Sequence, residues 1–275
     1  MALNPGDFEY ISKIVREQSA IVLEKGKEYL VEARLTPLAT SENFKSIADL
    51  AQQMKRDVGG KLIAKVVEAM TTNETSFFRD IHPFEVLKNT IIPELIQKRE
   101  SQKKLSIWCG ASSSGQEPYT LAMLLTENFP QLKNWKIDFI ASDISTEMQK
   151  RCQEGVYSQL EINRGLPAML MVKYFQRNGA QWQIKPELRQ MIDFRILNLS
   201  GRWPLMPKFD LVMMRNVLIY FDVPTKKEIL RKVRENLYPD GYVFLGAAET
   251  TLNLDDKYER MNFKQSGCYR IKDCL

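Results

Sequence analysis

Residues 105–119 read Leu-Ser-Ile-Trp-Cys-Gly-Ala-Ser-Ser-Ser-Gly-Gln-Glu-Pro-Tyr. They predict an apolar strand ending at Trp108, a loop of small residues between Gly110 and Gly115, and a helix opening at Pro118. Proline loses nothing at the first helical position, because that N–H has no intrahelical partner. Small residues let a ligand approach the backbone, and a helix start offers unpaired N–H groups. This is the strand–loop–helix unit of a nucleotide-binding α/β fold. The glycines do not make the G-x-G-x-x-G pattern, so NAD is not the first expectation. Glu117 stands where the helix begins, although glutamate is not a favoured N-cap. An acid there can bind a cationic or amine-bearing ligand, or it can simply gain from the helix dipole.

A second acid ends the next apolar run, Lys136-Ile-Asp-Phe-Ile-Ala-Ser-Asp143. In nucleotide-binding α/β units an acid at the end of the second strand hydrogen-bonds the ribose hydroxyls. Asp143 has that place; its other reading is a cap for the following helix. A third segment, Thr71-Thr-Asn-Glu-Thr-Ser-Phe-Phe-Arg-Asp80, breaks the helical periodicity with two adjacent aromatics and one arginine. It reads as a junction loop able to carry chemistry, or as a capped turn plugged by Phe77 and Phe78. The single histidine, His82, precedes Pro83, and no second histidine or cysteine cluster accompanies it. A His-based metal site or a Ser-His-Asp triad is therefore not expected, and no metal is.

These residues need elements to hold them. Phe8, Ile11 and Val15 recur at helical spacing, and Tyr29, Leu30 and Ala33 suggest a second helix stopped near Pro37. Ile47, Leu50, Ala51 and Met54 follow a Ser46…Asp49 capping box, and Gly59-Gly60 breaks the chain before Leu62, Ile63, Val66, Val67 and Met70. Residues 1–70 thus read as an all-helical domain, and 71–275 as a larger α/β domain. A helix containing Phe84, Leu87, Ile91, Ile92 and Leu95 precedes the first strand. Residues 155–190 interrupt the β/α rhythm with a hairpin, Tyr174 to Ile184, turning at Asn178-Gly179. They predict a small inserted antiparallel β subdomain. The rhythm resumes with Ile192–Ile196 and the buried strand Phe209–Met214, followed by Arg215-Asn216. A basic helix from about Pro224 to Leu237, a turn at Pro239-Asp-Gly241, a strand Tyr242–Leu245 and a hairpin over 258–272 bent at Gly267 complete the chain. The sheet should be mostly parallel with one reversed edge strand.

Composition narrows the class. Residues 1–70 carry ten Lys/Arg and ten Asp/Glu, and residues 71–275 carry twenty-nine and twenty-four, so the net +5 lies wholly in the second part. No dense basic stripe suits a nucleic acid. No apolar run approaches the ~18 residues of a membrane span, and no signal peptide is expected from Met1 to Tyr10. The four cysteines, Cys109, Cys152, Cys268 and Cys274, are scattered, which fits a reducing cytoplasm.

Taken together, Thr72-Asn-Glu-Thr-Ser-Phe-Phe-Arg79, Ser114-Gly-Gln-Glu-Pro-Tyr119, Ala141-Ser-Asp143 and Arg215-Asn-Val-Leu-Ile-Tyr-Phe221 resemble the bacterial chemotaxis-receptor glutamate O-methyltransferases, the CheR family. The similarity runs in order from about residue 8 to 272. It implies a class I S-adenosylmethionine-dependent methyltransferase fold, Rossmann-like with a seven-stranded sheet, behind an N-terminal helical domain. The implied reaction is esterification of glutamates on the cytoplasmic helical region of methyl-accepting receptors, giving S-adenosylhomocysteine as the second product. By the same resemblance, Asn73, Thr75 and Arg79 reach the cofactor's methionine end, and Glu117 lies near its amino group. Asp143 takes the ribose, Asn198 and Leu199 line the adenine, and Arg215 and Asn216 follow the fourth strand. Arg79 and Tyr220 match the residues nearest the transferred methyl.

The chemistry is consistent with that residue set. A glutamate carboxylate has an ordinary pKa of about 4.3, so it is already ionised near pH 7 and needs no general base. The site must align the reacting groups and exclude water. An arginine can hold a carboxylate by paired hydrogen bonds, and a tyrosine hydroxyl can orient an oxygen or the cofactor; Arg79 and Tyr220 suit these tasks, and the sequence does not divide them.

Two features depart from the family pattern. Residues 25–40 hold Lys25, Lys27 and Arg34 against Glu28 and Glu32, only +1, where the family often has a basic docking helix. The hairpin turn at Asn178-Gly179 is short, resembling members that do not bind a receptor's C-terminal tether. Two rivals remain: a class I methyltransferase acting on nitrogen, and a non-catalytic scaffold that kept the fold. Arg215-Asn216-Val217-Leu218 stands where amino-group enzymes place an Asn/Asp-Pro-Pro-aromatic motif.

Overall fold

A computed structural model describes residues 3–272; Cys274 lies outside them. The chain divides into two units. One gathers the residues up to Thr72 together with Tyr220–Thr225. The other spans Asn73–Ile219 and the chain from Lys226 onward.

The first unit is built from four helices, α1 (Pro5–Ser19), α2 (Glu28–Ser41), α3 (Ile47–Met54) and α4 (Lys61–Met70). Asn4 caps α1 by accepting the Asp7 amide at 2.9 Å, and Phe8, Ile11 and Val15 bury one face. Ser46 caps α3 by accepting the Asp49 amide at 3.1 Å. The return bond of a full capping box is replaced by the Ser46 hydroxyl donating to the Asp49 carboxylate. Asp57 does the same service for α4, taking the Leu62 and Ile63 amides at 2.7 and 3.1 Å.

The second helix does not stop near Pro37. It continues to Ser41, with Pro37 inside it. The buried stripe is Val31, Leu35 and Ala39, one turn apart, while Tyr29 is 68% exposed. Burying that stripe in the helical core outweighs the one intrahelical bond that proline removes. Arg34, on the same helix, donates to the Met70 and Thr71 carbonyls at 2.5 and 2.9 Å and so caps the end of α4. The Tyr220–Thr225 piece is fastened to α1 and its exit: Val22 N–H donates to the Tyr220 carbonyl at 3.0 Å, and Arg16 pairs with Asp222 at 2.7 Å.

The second unit opens with α5 (His82–Val86), a π turn over Leu87–Ile91, and α6 (Ile92–Arg99). The π turn ends two residues before Pro93, which has no N–H to return to the Asn89 carbonyl. There follow β1 (Lys104–Gly110), α7 (Gln116–Asn128), a 3-10 turn (Pro130–Asn134), β2 (Lys136–Asp143) and α8 (Thr146–Glu154). The inserted piece holds β3 (Val156–Tyr157), α9 (Gln159–Asn163), α10 (Ala168–Tyr174), β4 (Phe175–Asn178), β5 (Gln181–Ile184) and α11 (Pro186–Arg189). The main sheet resumes with β6 (Asp193–Ile196) and β7 (Phe209–Met214), then a 3-10 turn (Leu218–Tyr220), α12 (Val223–Glu235), β8 (Leu237–Leu245), β9 (Tyr258–Arg260) and β10 (Gly267–Ile271).

Seven strands lie in the order β6-β2-β1-β7-β8-β10-β9. The first five are parallel, and all six residues of β7 are buried, as expected for a sheet covered on both faces. The reversed strand is not the edge. β10 runs antiparallel to β8 and to β9, so β9 forms the edge. The final hairpin goes out to the edge first and returns into the gap. Its bend falls at Lys264-Gln265, and Gly267 instead starts β10, where a Cβ would lie 2.9 Å from the Leu245 carbonyl oxygen. The Pro239-Asp-Gly241 segment is absorbed into β8 as an irregularity between the Phe209↔Leu237 and Leu211↔Tyr242 pairs.

The inserted strands form a separate antiparallel sheet, β3-β5-β4. Asn178 pairs with Gln181, so the two-residue loop is Gly179-Ala180, one residue later than Asn178-Gly179. Gly179 supplies the left-handed φ of 60° that the turn needs.

Candidate functional site

The site grows from the C-terminal ends of the parallel strands, the usual ligand crevice of an open α/β sheet. β1 runs two residues past Trp108, to Gly110, and α7 starts at Gln116 with Pro118 as its third residue. That shift still suits proline, because the third N–H of a helix is also unpaired. The first intrahelical bond joins the Tyr119 amide to the Gly115 carbonyl at 3.1 Å, leaving the Gln116 and Glu117 amides ahead of it.

The loop between them is curled and held from several sides. Ala111, Ser113 and Gly115 take left-handed φ values of 57°, 50° and 96°. Such conformations persist for non-glycine residues only where surrounding bonds enforce them. Here the Ser112 amide donates to the Ser142 carbonyl at 2.9 Å and the Ser113 amide to the Asp143 carboxylate at 2.8 Å. The Tyr157 hydroxyl donates to the Ser114 carbonyl at 2.7 Å, and the Cys152 thiol to the Ser113 carbonyl at 3.0 Å. Gly115 admits no side chain: a Cβ would lie 2.9 Å from Cys152 Sγ and 3.0 Å from the Tyr157 hydroxyl oxygen.

Asp143 is buried at the end of β2. Its two oxygens accept the Ser113 amide at 2.8 Å and the Ser145 amide at 2.9 Å. The cap of α8 is Ser145, which accepts the Met148 amide. Asn198 and Leu199 are brought to the same corner, because the Leu197 amide donates to the Asp143 carbonyl at 2.9 Å. Leu199 is buried, and Asn198 Oδ1 accepts from Ser200 N and Oγ at 3.0 and 2.8 Å.

Around the start of α7 the charges are paired. The Arg215 side chain, 2% exposed, donates to Glu117 at 2.6 Å, to Asp80 at 2.9 Å and to the Arg79 carbonyl at 2.9 Å, with its guanidinium over the Phe84 ring. Two carboxylates thus share one buried guanidinium. Arg215 Nε is buried without a partner. Arg79 itself is half-buried and donates to the Glu74 carbonyl at 2.9 Å. Asn73 enters through its backbone, accepting from Ser113 Oγ at 2.8 Å, and Thr75 is half-buried in the same segment. Both aromatics of that segment are plugs: Phe77 packs edge-on against Tyr157 and Phe175, and Phe78 against Phe84.

Asn216 follows with φ 60° and donates its amide to Glu249 at 2.8 Å. Tyr220 belongs to the helical unit, where its carbonyl receives the Val22 amide. The structure therefore draws Asn73, Arg79, Glu117, Asp143, Asn198, Leu199, Arg215 and Asn216 to the loops that follow the strands of one sheet. Asp80 and Glu249 were not legible as site residues. Asp80 adjoins Arg79, which was a usable signal; Glu249 follows β8 in no recognisable motif. Among the described residues no group of His, Cys, Asp or Glu is placed to hold a metal ion, and no helix is long and apolar enough to cross a membrane.

Residues 6–71 match the family described as "CheR methyltransferase, all-alpha domain", and residues 73–266 match "CheR methyltransferase, SAM binding domain". The chain is 41% identical to "Chemotaxis protein methyltransferase 1" of Pseudomonas aeruginosa, over 99% of this chain and 100% of that one. It is 41% identical to "Chemotaxis protein methyltransferase Cher2" of Pseudomonas putida, over 97% and 98%, and 37% identical to a "Chemotaxis protein methyltransferase" of Vibrio parahaemolyticus, over 98% and 99%. With the curled Gly110–Gly115 loop, the acid ending β2 and both domains matched nearly end to end, the chain belongs to the CheR family of S-adenosylmethionine-dependent methyltransferases.

Proposed function

We propose that this protein transfers a methyl group to glutamate carboxylates on the cytoplasmic helices of chemotaxis receptors. The observation that carries the reading is the Glu117–Arg215–Asp80 cluster at the start of α7, beside the loop braced by Asp143. S-adenosylmethionine supplies a methyl already activated on a sulfonium. The chain's own residues then bind, orient and exclude water. Glu117 faces the amino end, Asp143 takes the ribose hydroxyls, and Asn198 and Leu199 line the base. Asn73, Thr75, Arg215 and Asn216 shape the remaining wall. Arg79 and Tyr220 are assigned to the reacting groups, the two between them holding the carboxylate and orienting the oxygen or the cofactor. No proton needs removing, because the nucleophile is ionised at pH 7.

Labelled methyl transfer to receptor-rich membranes tests the reading. The product should be a methyl ester, released by mild alkali. Label that survives alkali would place the methyl on nitrogen and overturn it. The Arg215-Asn216-Val217-Leu218 segment disfavours that alternative.

A further inference from the structure

We infer that Glu249 is a positioning residue for methyl transfer: its buried carboxylate locks the segment Asn216–Ile219 into the conformation the site uses. This rests on the function proposed above, in which Asn216 lies at the cofactor.

Glu249 is 8% exposed. One carboxylate oxygen accepts the Gly246 amide at 2.6 Å and the Asn216 amide at 2.8 Å; the other accepts the Ile219 amide at 3.3 Å. Three backbone donors from two loops therefore converge on one side chain. Those loops leave neighbouring parallel strands, since Met214 of β7 pairs with Leu245 of β8. Glu249 clamps the two strand ends together at the ligand-binding end of the sheet.

The clamp carries a conformational burden. Asn216 is held at φ 60°, a left-handed region that asparagine enters at less cost than other non-glycine residues and that the surrounding bonds fix here. Directly against it lies Gly246, where a Cβ would stand 2.8 Å from Asn216 N, Asn216 Nδ2 and the Glu249 oxygen. Only glycine lets the carboxylate and Asn216 close to these distances. An acceptor-only group with two oxygens is what three N–H groups require. A glutamine offers one oxygen and would set its own N–H2 against a backbone N–H. Ile219 is the residue before Tyr220, so the same carboxylate also fixes the backbone that leads to the proposed catalytic tyrosine.

The test compares the full-length chain with Glu249→Gln, Glu249→Asp and Gly246→Ala. Three quantities are read: kcat and KM for methyl transfer to receptor membranes, S-adenosylhomocysteine affinity by calorimetry, and thermal unfolding without ligand. Glu249→Gln should lower kcat at saturating cofactor tenfold or more and weaken S-adenosylhomocysteine several-fold, in protein that is folded by circular dichroism. Glu249→Asp should recover part of both. Gly246→Ala keeps the carboxylate but displaces Asn216, and should reproduce the loss; it carries the test if Glu249→Gln does not fold. Variants that unfold at lower temperature yet keep kcat and affinity within twofold would reduce Glu249 to a structural cap and overturn the inference. A wild-type chain that makes no alkali-labile product would instead sink the glutamate reading, while the affinity comparison would still decide the role of Glu249.

Discussion

Arg215 and Glu117 meet at 2.6 Å across 98 residues of sequence, one following β7 and the other opening α7. The bond joins the loop after β7 to the first turn of α7, where the methionine end of the cofactor is proposed to bind. Arg215 is the buried member, and its removal leaves Glu117 and Asp80, both partly exposed, without their charge-assisted hydrogen bonds, at a cost of about 1–3 kcal/mol. Arg215→Ala should therefore lose stability of roughly that size, read from urea unfolding. Glu117→Gln, which leaves a neutral acceptor on a partly exposed side chain, should lose much less stability but weaken cofactor binding. Equal stability losses in the two variants would contradict the assignment.

Asp143 bridges two backbone amides and is proposed to take the ribose as well. Asp143→Ala should weaken S-adenosylhomocysteine by roughly 1–3 kcal/mol, the usual cost of leaving hydrogen-bond partners unsatisfied. Calorimetry finding unchanged affinity would remove Asp143 from the ribose and leave it as a loop brace.

Acid should act on the helical unit through Asp222. Hydrogen bonds from Thr225, then from Arg16, hold its carboxyl down from 3.8 to about 2. A depressed folded-state pKa stabilises above the ordinary value and loses that contribution as pH falls through the folded one. Wild type should thus be more heat-stable than Asp222→Asn at pH 5–7, with the gap closing between pH 3.8 and about 2. A gap that is constant over that range would show that the carboxylate charge contributes nothing there.

The short Gly179-Ala180 turn offers no extended glycine-bearing edge for a tether peptide to join as a strand. Receptors should then be reached through the helical unit. Lys45, Lys55, Arg56, Lys61 and Lys65 are all exposed there against Asp49 and Asp57, a net +3 over residues 45–65, with Lys65 also paired to Glu42 at 2.6 Å. Methylation should slow as salt rises, since exposed charges are screened beyond a Debye length of ~8 Å at physiological ionic strength. It should be unchanged when the receptor's last residues are removed. A large loss of rate on truncation, or micromolar binding of the isolated tail peptide, would show that the short turn is no guide to docking.

Local physics makes several elements readable from the sequence alone. An apolar run with a terminal acid marks Lys136–Asp143, and i, i+3, i+4 apolar spacing marks the faces of α1, α3 and α4, because those patterns reflect burial of one face within a few residues. The small-residue loop before α7 is equally plain, although its strand runs two residues further and its helix begins two earlier. What tertiary structure decides is the set of contacts distant in sequence. Pro37 signals a helix end, and only the buried stripe of Val31, Leu35 and Ala39 carries α2 past it. The reversed strand lies inside the sheet because a closing hairpin can enter β8's free edge with either of its strands, a choice made by packing alone. Arg215 reaching Glu117 and Asp80, and Glu249 gathering three amides from two loops, have no local signature at all. A carboxylate reads the same in any loop of a sequence. Its partners are set by which strand ends the sheet order places side by side.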